Sequence, residues 1–165
     1  MDPKIENILY ATGLGSGDPY VFGYALSLAR KYDANIHVIH GREPLPISLQ
    51  KLSECYISHE EIEDILAEDE KTILNRIDQL CAKGIAGDPL GQDRVASMTV
   101  VRHPPKQAII EEAQKRNVDL IVMGSHRHSV LSDAMLGTTT MKVLHQATIP
   151  VLVVRIPKGY QEEGV

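Results

Sequence analysis

Tryptophan is absent, phenylalanine occurs once and tyrosine six times, so aromatic residues make up only 4% of the 165. With 43% of the residues hydrophobic, the core must be aliphatic, which suits a Val and Ile sheet covered by Ala and Leu helices. Cysteine occurs twice, as Cys55 and Cys81, in neither Cys-x-x-Cys nor zinc-ligand spacing. That excludes a redox motif and a metal knuckle, and both thiols are expected to pack in helices in a reducing compartment. There is no basic run, and the formal net charge is −5. Nucleic-acid binding rests on clustered Lys and Arg, so no such partner is expected. No apolar stretch approaches a membrane span, and MDPKIENILY lacks a basic segment followed by a long apolar one. The expectation is a cytoplasmic protein with no membrane partner. Internal repeats, low-complexity tracts and linkers are missing too. Residues 1–165 therefore read as one domain, with a core over 4–156 and a polar tail at 157–165.

What is present is an alternation of short apolar runs with helical patterns. Residues 5–11 read as a first strand, and GLGSGDP as a glycine-rich turn into a helix with Asp18 as N-cap and Pro19 at its first position. Val21, Phe22, Ala25, Leu26, Leu28, Ala29 and Tyr32 follow at helical spacing, and the helix is expected to end near Lys31. Residues 35–40 supply a second strand, after which Pro44-Leu45-Pro46 breaks regular structure ahead of a long polar region. Ser58 with Glu61 is a capping-box signal. It opens a helix whose face carries Ile62, Ile65, Leu66, Ile73, Leu74, Ile77, Leu80 and Cys81, with Gly84 as its stop. The acidic group from Glu60 to Glu70 reads as a solvated helix face. A third strand at 94–102, a helix begun by Pro104-Pro105 and ended by Asn117, a fourth strand opened by Asp119 and a fifth at 150–155 complete the chain. Strands alternating with helices imply right-handed crossovers and an open parallel α/β sheet with helices on both faces.

The chain is organised around DLIVMGSHRHSVLSDAMLGTTT, residues 119–140. Its apolar run reads as a strand buried on both faces. Gly124 ends that strand, and Gly137, Thr138 and Thr139 open a helix whose free backbone N–H groups suit an anion, above all a phosphate. The spacing is Gly124, two residues, Arg127, nine residues, Gly137, Thr138. Here the stretch resembles the universal stress protein family, whose nucleotide-binding members carry Gly, two residues, Gly, nine residues, Gly, Ser/Thr. DLIVMGSH and MKVLHQATIPVLVV match the family's last two strands and the helix between them. The resemblance implies an adenine nucleotide alpha hydrolase-like sheet of five strands in the order 3-2-1-4-5. It also implies a crevice where the winding reverses between strands one and four.

The same resemblance implies ATP or AMP as ligand, bound in a sensing or regulatory role during stress. Its site is expected to draw on Gly13, backbone at Val38, Met123, Gly124, Arg127, Gly137, Thr138 and Thr139. Three positions depart from the family pattern. Arg127 stands at the second glycine, where its Cβ either blocks close backbone approach or its guanidinium reaches the phosphates itself. Gly13 stands where ATP-binding members carry an Asp that meets the nucleoside, leaving Gly15, Ser16 or Asp18 to replace it. His103 replaces a glycine after the third strand. A homodimer through the apolar run Val151–Val154 is implied as well, since that run otherwise leaves a sticky sheet edge.

Two alternatives stay open at this level: a dimeric interaction protein with a degenerate pocket, marked by Gly13 and Arg127, and a slow nucleotide hydrolase using His126 or His128 as base. G-L-G-S-G lacks the Rossmann spacing and its following acid, and no Walker lysine follows a glycine loop. No serine stands in a nucleophile elbow. His40, His103, His126 and His128 each follow a strand and so gather at one sheet edge, where solvated loop histidines are the simpler reading than a metal site. His37, inside strand two, reads as structural; His59 and His145 read as helix surface.

Overall fold

The computed structural model describes residues 3–86, 88, 91–125, 136–157 and 160. Its strands are β1 (Asn7–Ala11), β2 (Asn35–Gly41), β3 (Val95–Val101), β4 (Leu120–Gly124) and β5 (Val151–Val154). Its helices are α1 (Asp18–Tyr32), α2 (Ile47–Tyr56), α3 (His59–Ile85), α4 (Pro105–Lys115) and α5 (Thr138–Gln146). The five strands form one parallel sheet in the order β3-β2-β1-β4-β5, the order the family resemblance implied.

Alternation along the two central strands divides the core. Ile8 and Tyr10 of β1, with Leu120 and Val122 of β4, face α1 and the second half of α3. Leu9 and Ala11, with Ile121 and Met123, face α4 and α5. Both faces are covered, so every residue of β4 is buried, which is why its sequence is apolar without interruption. Burial of aliphatic side chains at about 1.5–3 kcal/mol each drives this assembly, and Tyr10 and Phe22 add a tilted ring pair at 5.4 Å. Asp119 joins the strands at their start, its Oδ2 accepting from the backbone N–H of Glu6 and Asn7 at 2.8 and 2.9 Å.

Several sequence expectations are corrected. Residues 47–56 form α2, where the sequence reading left irregular structure. Ile47 and Tyr56 of this helix are exposed. Cys55, expected to pack, is exposed on α2, whereas Cys81 is buried in the core and burial pushes its thiol up to about 12. The capping box of Ser58 and Glu61 does open α3. Gly84 does not stop that helix, which continues to Ile85; a Cβ at Gly84 would meet the Phe22 ring, so this glycine lets α3 and α1 approach. Only the second half of α3, with Ile73, Ile77, Leu80 and Cys81, is buried, and Ile65 is exposed. Gly41 serves a similar close approach, since a Cβ there would stand 2.6 Å from Pro105 Cα at the start of α4.

His37 lies at the centre of a polar network on the α4 side of β2. Arg116 can only donate, so Nδ1 accepts from its guanidinium at 3.5 Å and from Ser97 Oγ at 2.8 Å, while Nε2–H donates to Asn7 Oδ1 at 3.4 Å. Arg116 is in turn held by buried Glu112. Burial, and then the Arg116 charge, hold the His37 ring below its ordinary value of 6.5. A lowered native value means that the unfolded chain takes the proton first as pH falls. Stability from this site is therefore complete above the ordinary value and declines on acidification below it. Urea unfolding between about pH 7.5 and 5 should show this decline reduced in His37→Gln; an identical pH slope in both proteins would remove His37 from the acid response.

Candidate functional site

The crevice at the carboxyl ends of β1 and β4 has two lips, and a buried carboxylate builds the first. Asp18 is 1% exposed. Its Oδ2 accepts from Thr12 Oγ1–H and from Gly15 N–H, both at 2.8 Å, and Thr12 Oγ1 accepts from Leu14 N–H at 3.0 Å. Leu14 sits at φ 59, a left-handed conformation costing about 1–2 kcal/mol. Hydrogen bonds to a charged group contribute about 1.5–3 kcal/mol each, so the carboxylate outweighs that strain. Asp18 was expected as the helix N-cap. Gly17 holds that position instead, and Asp18 caps the turn. Tyr10 O–H donates to the Asp18 carbonyl at 3.0 Å; burial, then the Asp18 charge, push this phenol well above its ordinary value and keep it a donor.

The second lip runs from β4 to α5. Ser125 N–H donates to the Val154 carbonyl at 2.9 Å, and Thr140 Oγ1–H donates to the Gly124 carbonyl at 3.0 Å, tying the end of β4 to the first turn of α5. Gly137 is the N-cap, with no side-chain cap, and the first helical bond runs from Met141 N–H to the Gly137 carbonyl. The N–H groups of Thr138, Thr139 and Thr140 precede that ladder and point outward from the helix start.

Between the lips lies a cavity of about 590 Å³. Of the expected site residues, Gly13, Met123, Gly124 and Thr139 line it. The side chain of Val38, whose backbone was the expected contact, packs in the core with α1 and α3, and the residues after it, Ile39 and His40, line the cavity. Gly137 and Thr138 stand at the start of α5 without forming its wall. Arg127 lies outside the described residues, as do His126 and His128. Gly15 and Ser16, two of the replacements weighed for an Asp at position 13, line the cavity; Asp18 is committed to the turn.

A third wall was not anticipated. Ile156, Pro157 and Tyr160, assigned at or beyond the end of the core, line the cavity on leaving β5. Ile156 fills the notch above Gly17, where a Cβ would stand 3.0 Å from its Cγ1. The Tyr160 ring rests 5.2 Å from that of Tyr20. The apolar Ile156, two residues after the end of β5, was the available signal. Among the described lining residues there is no carboxylate, ammonium or guanidinium group, so an anion here would be met by backbone N–H groups, hydroxyls and a helix start. His103 is outside this wall, bonded through Nδ1 to Glu111 at 3.0 Å. No group of three or more metal-ligating side chains is present among the described residues.

The Asp18 carboxylate is the test of this architecture. Asp18→Ala should lower unfolding free energy by about 3 kcal/mol, read from urea denaturation. A change below about 0.5 kcal/mol would mean that the turn holds its shape without it.

A model of the universal stress protein family matches residues 4–155. Universal stress protein A homolog 2 of Coxiella burnetii is 35% identical over 154 residues, covering 92% of this chain and 95% of that one. Among solved structures, UspA from Lactobacillus plantarum is similar with a TM-score of 0.70 at 18% identity, over 93% of this chain and all (100%) of that one. A universal stress protein solved in complex with cAMP is similar at 0.63 and 15% identity, over 93% and 99% of the two chains. At these identities the structures show a shared fold.

Proposed function

Because the chain belongs to the universal stress protein family, we propose that its cavity binds an adenine nucleotide, ATP or AMP, as a regulatory or sensing ligand. The observation that carries this reading is the cavity at the point where the sheet reverses its winding, flanked by the uncapped start of α5. Its volume falls within the about 300–1,000 Å³ usual for small-molecule sites. Gly124 brings backbone to its wall without a side chain, Thr139 brings a hydroxyl, and the uncharged lining suits recognition by dipoles. The cAMP complex of a structural neighbour supports the same class of ligand.

Calorimetric titration of nucleotide-stripped protein with ATP and AMP tests it. Binding at micromolar Kd is expected, weakened at least about tenfold in Gly137→Val. Gly137 has φ −60 and ψ 153, an extended conformation open to valine, so that variant should fold with a side chain placed against the helix start. Arg127→Gly beside them reports whether the arginine helps or hinders. Absence of heat with either nucleotide at millimolar concentration would defeat the reading for the wild-type chain.

We also propose a homodimer formed along β5. The bonds from Ile121 N–H to the Pro150 carbonyl and from Ser125 N–H to the Val154 carbonyl turn the even-numbered backbone of this strand toward β4. By alternation the backbone of Val151 and Val153 faces outward, open to a second chain. Sedimentation velocity should find a dimer in the wild type and a monomer in Val153→Pro, which removes an outward N–H. A wild-type monomer at about 100 μM would refute this arrangement.

A further inference from the structure

Gly13 gives the first lip no side-chain acceptor, and Asp18 is committed to the turn. The neighbouring strand supplies one. His40, near the carboxyl end of β2, is half-buried and lines the cavity beside Gly13. Its Nδ1 lies 2.9 Å from the Thr12 carbonyl oxygen. A carbonyl only accepts, so Nδ1 carries a proton and donates. In the neutral ring that leaves Nε2 as a lone-pair acceptor, and no described residue partners it. The same bond anchors the ring to the residue that precedes Gly13.

We propose that His40 is a ligand-binding residue of this cavity, its Nε2 accepting a hydrogen bond from a donor on the nucleoside: a ribose hydroxyl or the exocyclic amine of the base. This rests on the cavity being a nucleotide site. Among the described lining residues the other ionisable side chain is Tyr160.

Two amides separate the two ring nitrogens. His40→Asn places its N–H₂ where Nδ1 was and keeps the bond to Thr12 while removing the atom at Nε2. His40→Gln places an acceptor near Nε2 and gives up the bond at Nδ1. The Kd for ATP would be measured for wild type and both variants at about pH 8. His40→Asn should bind about tenfold more weakly than wild type, and His40→Gln within about threefold of it. With 2′-deoxyATP or ITP as probe, the ligand lacking the donor should abolish the difference between wild type and His40→Asn, which identifies the group. Equal affinities in wild type and His40→Asn would overturn the role of His40 and leave the cavity reading intact. If no protein of the set binds ATP, the cavity reading fails and this inference fails with it.

Discussion

A single buried carboxylate sets the geometry on which the site depends. Asp18 gathers a hydroxyl and a backbone N–H onto one oxygen, and its own carbonyl is held by Tyr10 from within the core. The turn from β1 to α1 is thereby fixed at both ends, and Leu14 is kept in a backbone conformation it would otherwise avoid. Glycines lining the first lip keep their positions because their neighbours are tied down. The second lip has a matching device in Thr140, which binds the end of β4 to the start of α5. Each lip is held by a side chain that is not itself part of the cavity wall.

The legible parts of the fold were those whose burial is complete or whose chemistry is local. The run in β4 has both faces covered, and hydrophobicity alone therefore marked it as a strand. Ser58 and Glu61 meet within one helical turn, so their pairing could be read from spacing. α2 was not read as a helix, and the large side chains at both its ends, Ile47 and Tyr56, face solvent. Periodicity reports a helix only when one side of it is buried. Gly84 was read as a stop for a related reason: flexibility and close packing use the same residue, and only the position of Phe22 tells them apart.

Within the candidate site, the glycines and Thr139 were visible because a helix start and a strand end are sequence-local features. The wall formed by Ile156, Pro157 and Tyr160 was not, because it depends on where the chain turns after β5 and on the space left by Gly17, more than a hundred positions earlier. Val38 illustrates a different limit. The family pattern selects the right strand, and the residues of it that line the cavity are those at its carboxyl end, Ile39, His40 and Gly41. His40 drew attention as one of several edge histidines; only its bond to Thr12 determines which nitrogen is left to act.

β5 and the third wall of the cavity are adjacent in the chain. Val154 accepts from Ser125 N–H, and two residues later Ile156 fills the notch above Gly17. The strand at the margin of the sheet and the side chain that closes the notch above Gly17 are therefore separated by Arg155 alone.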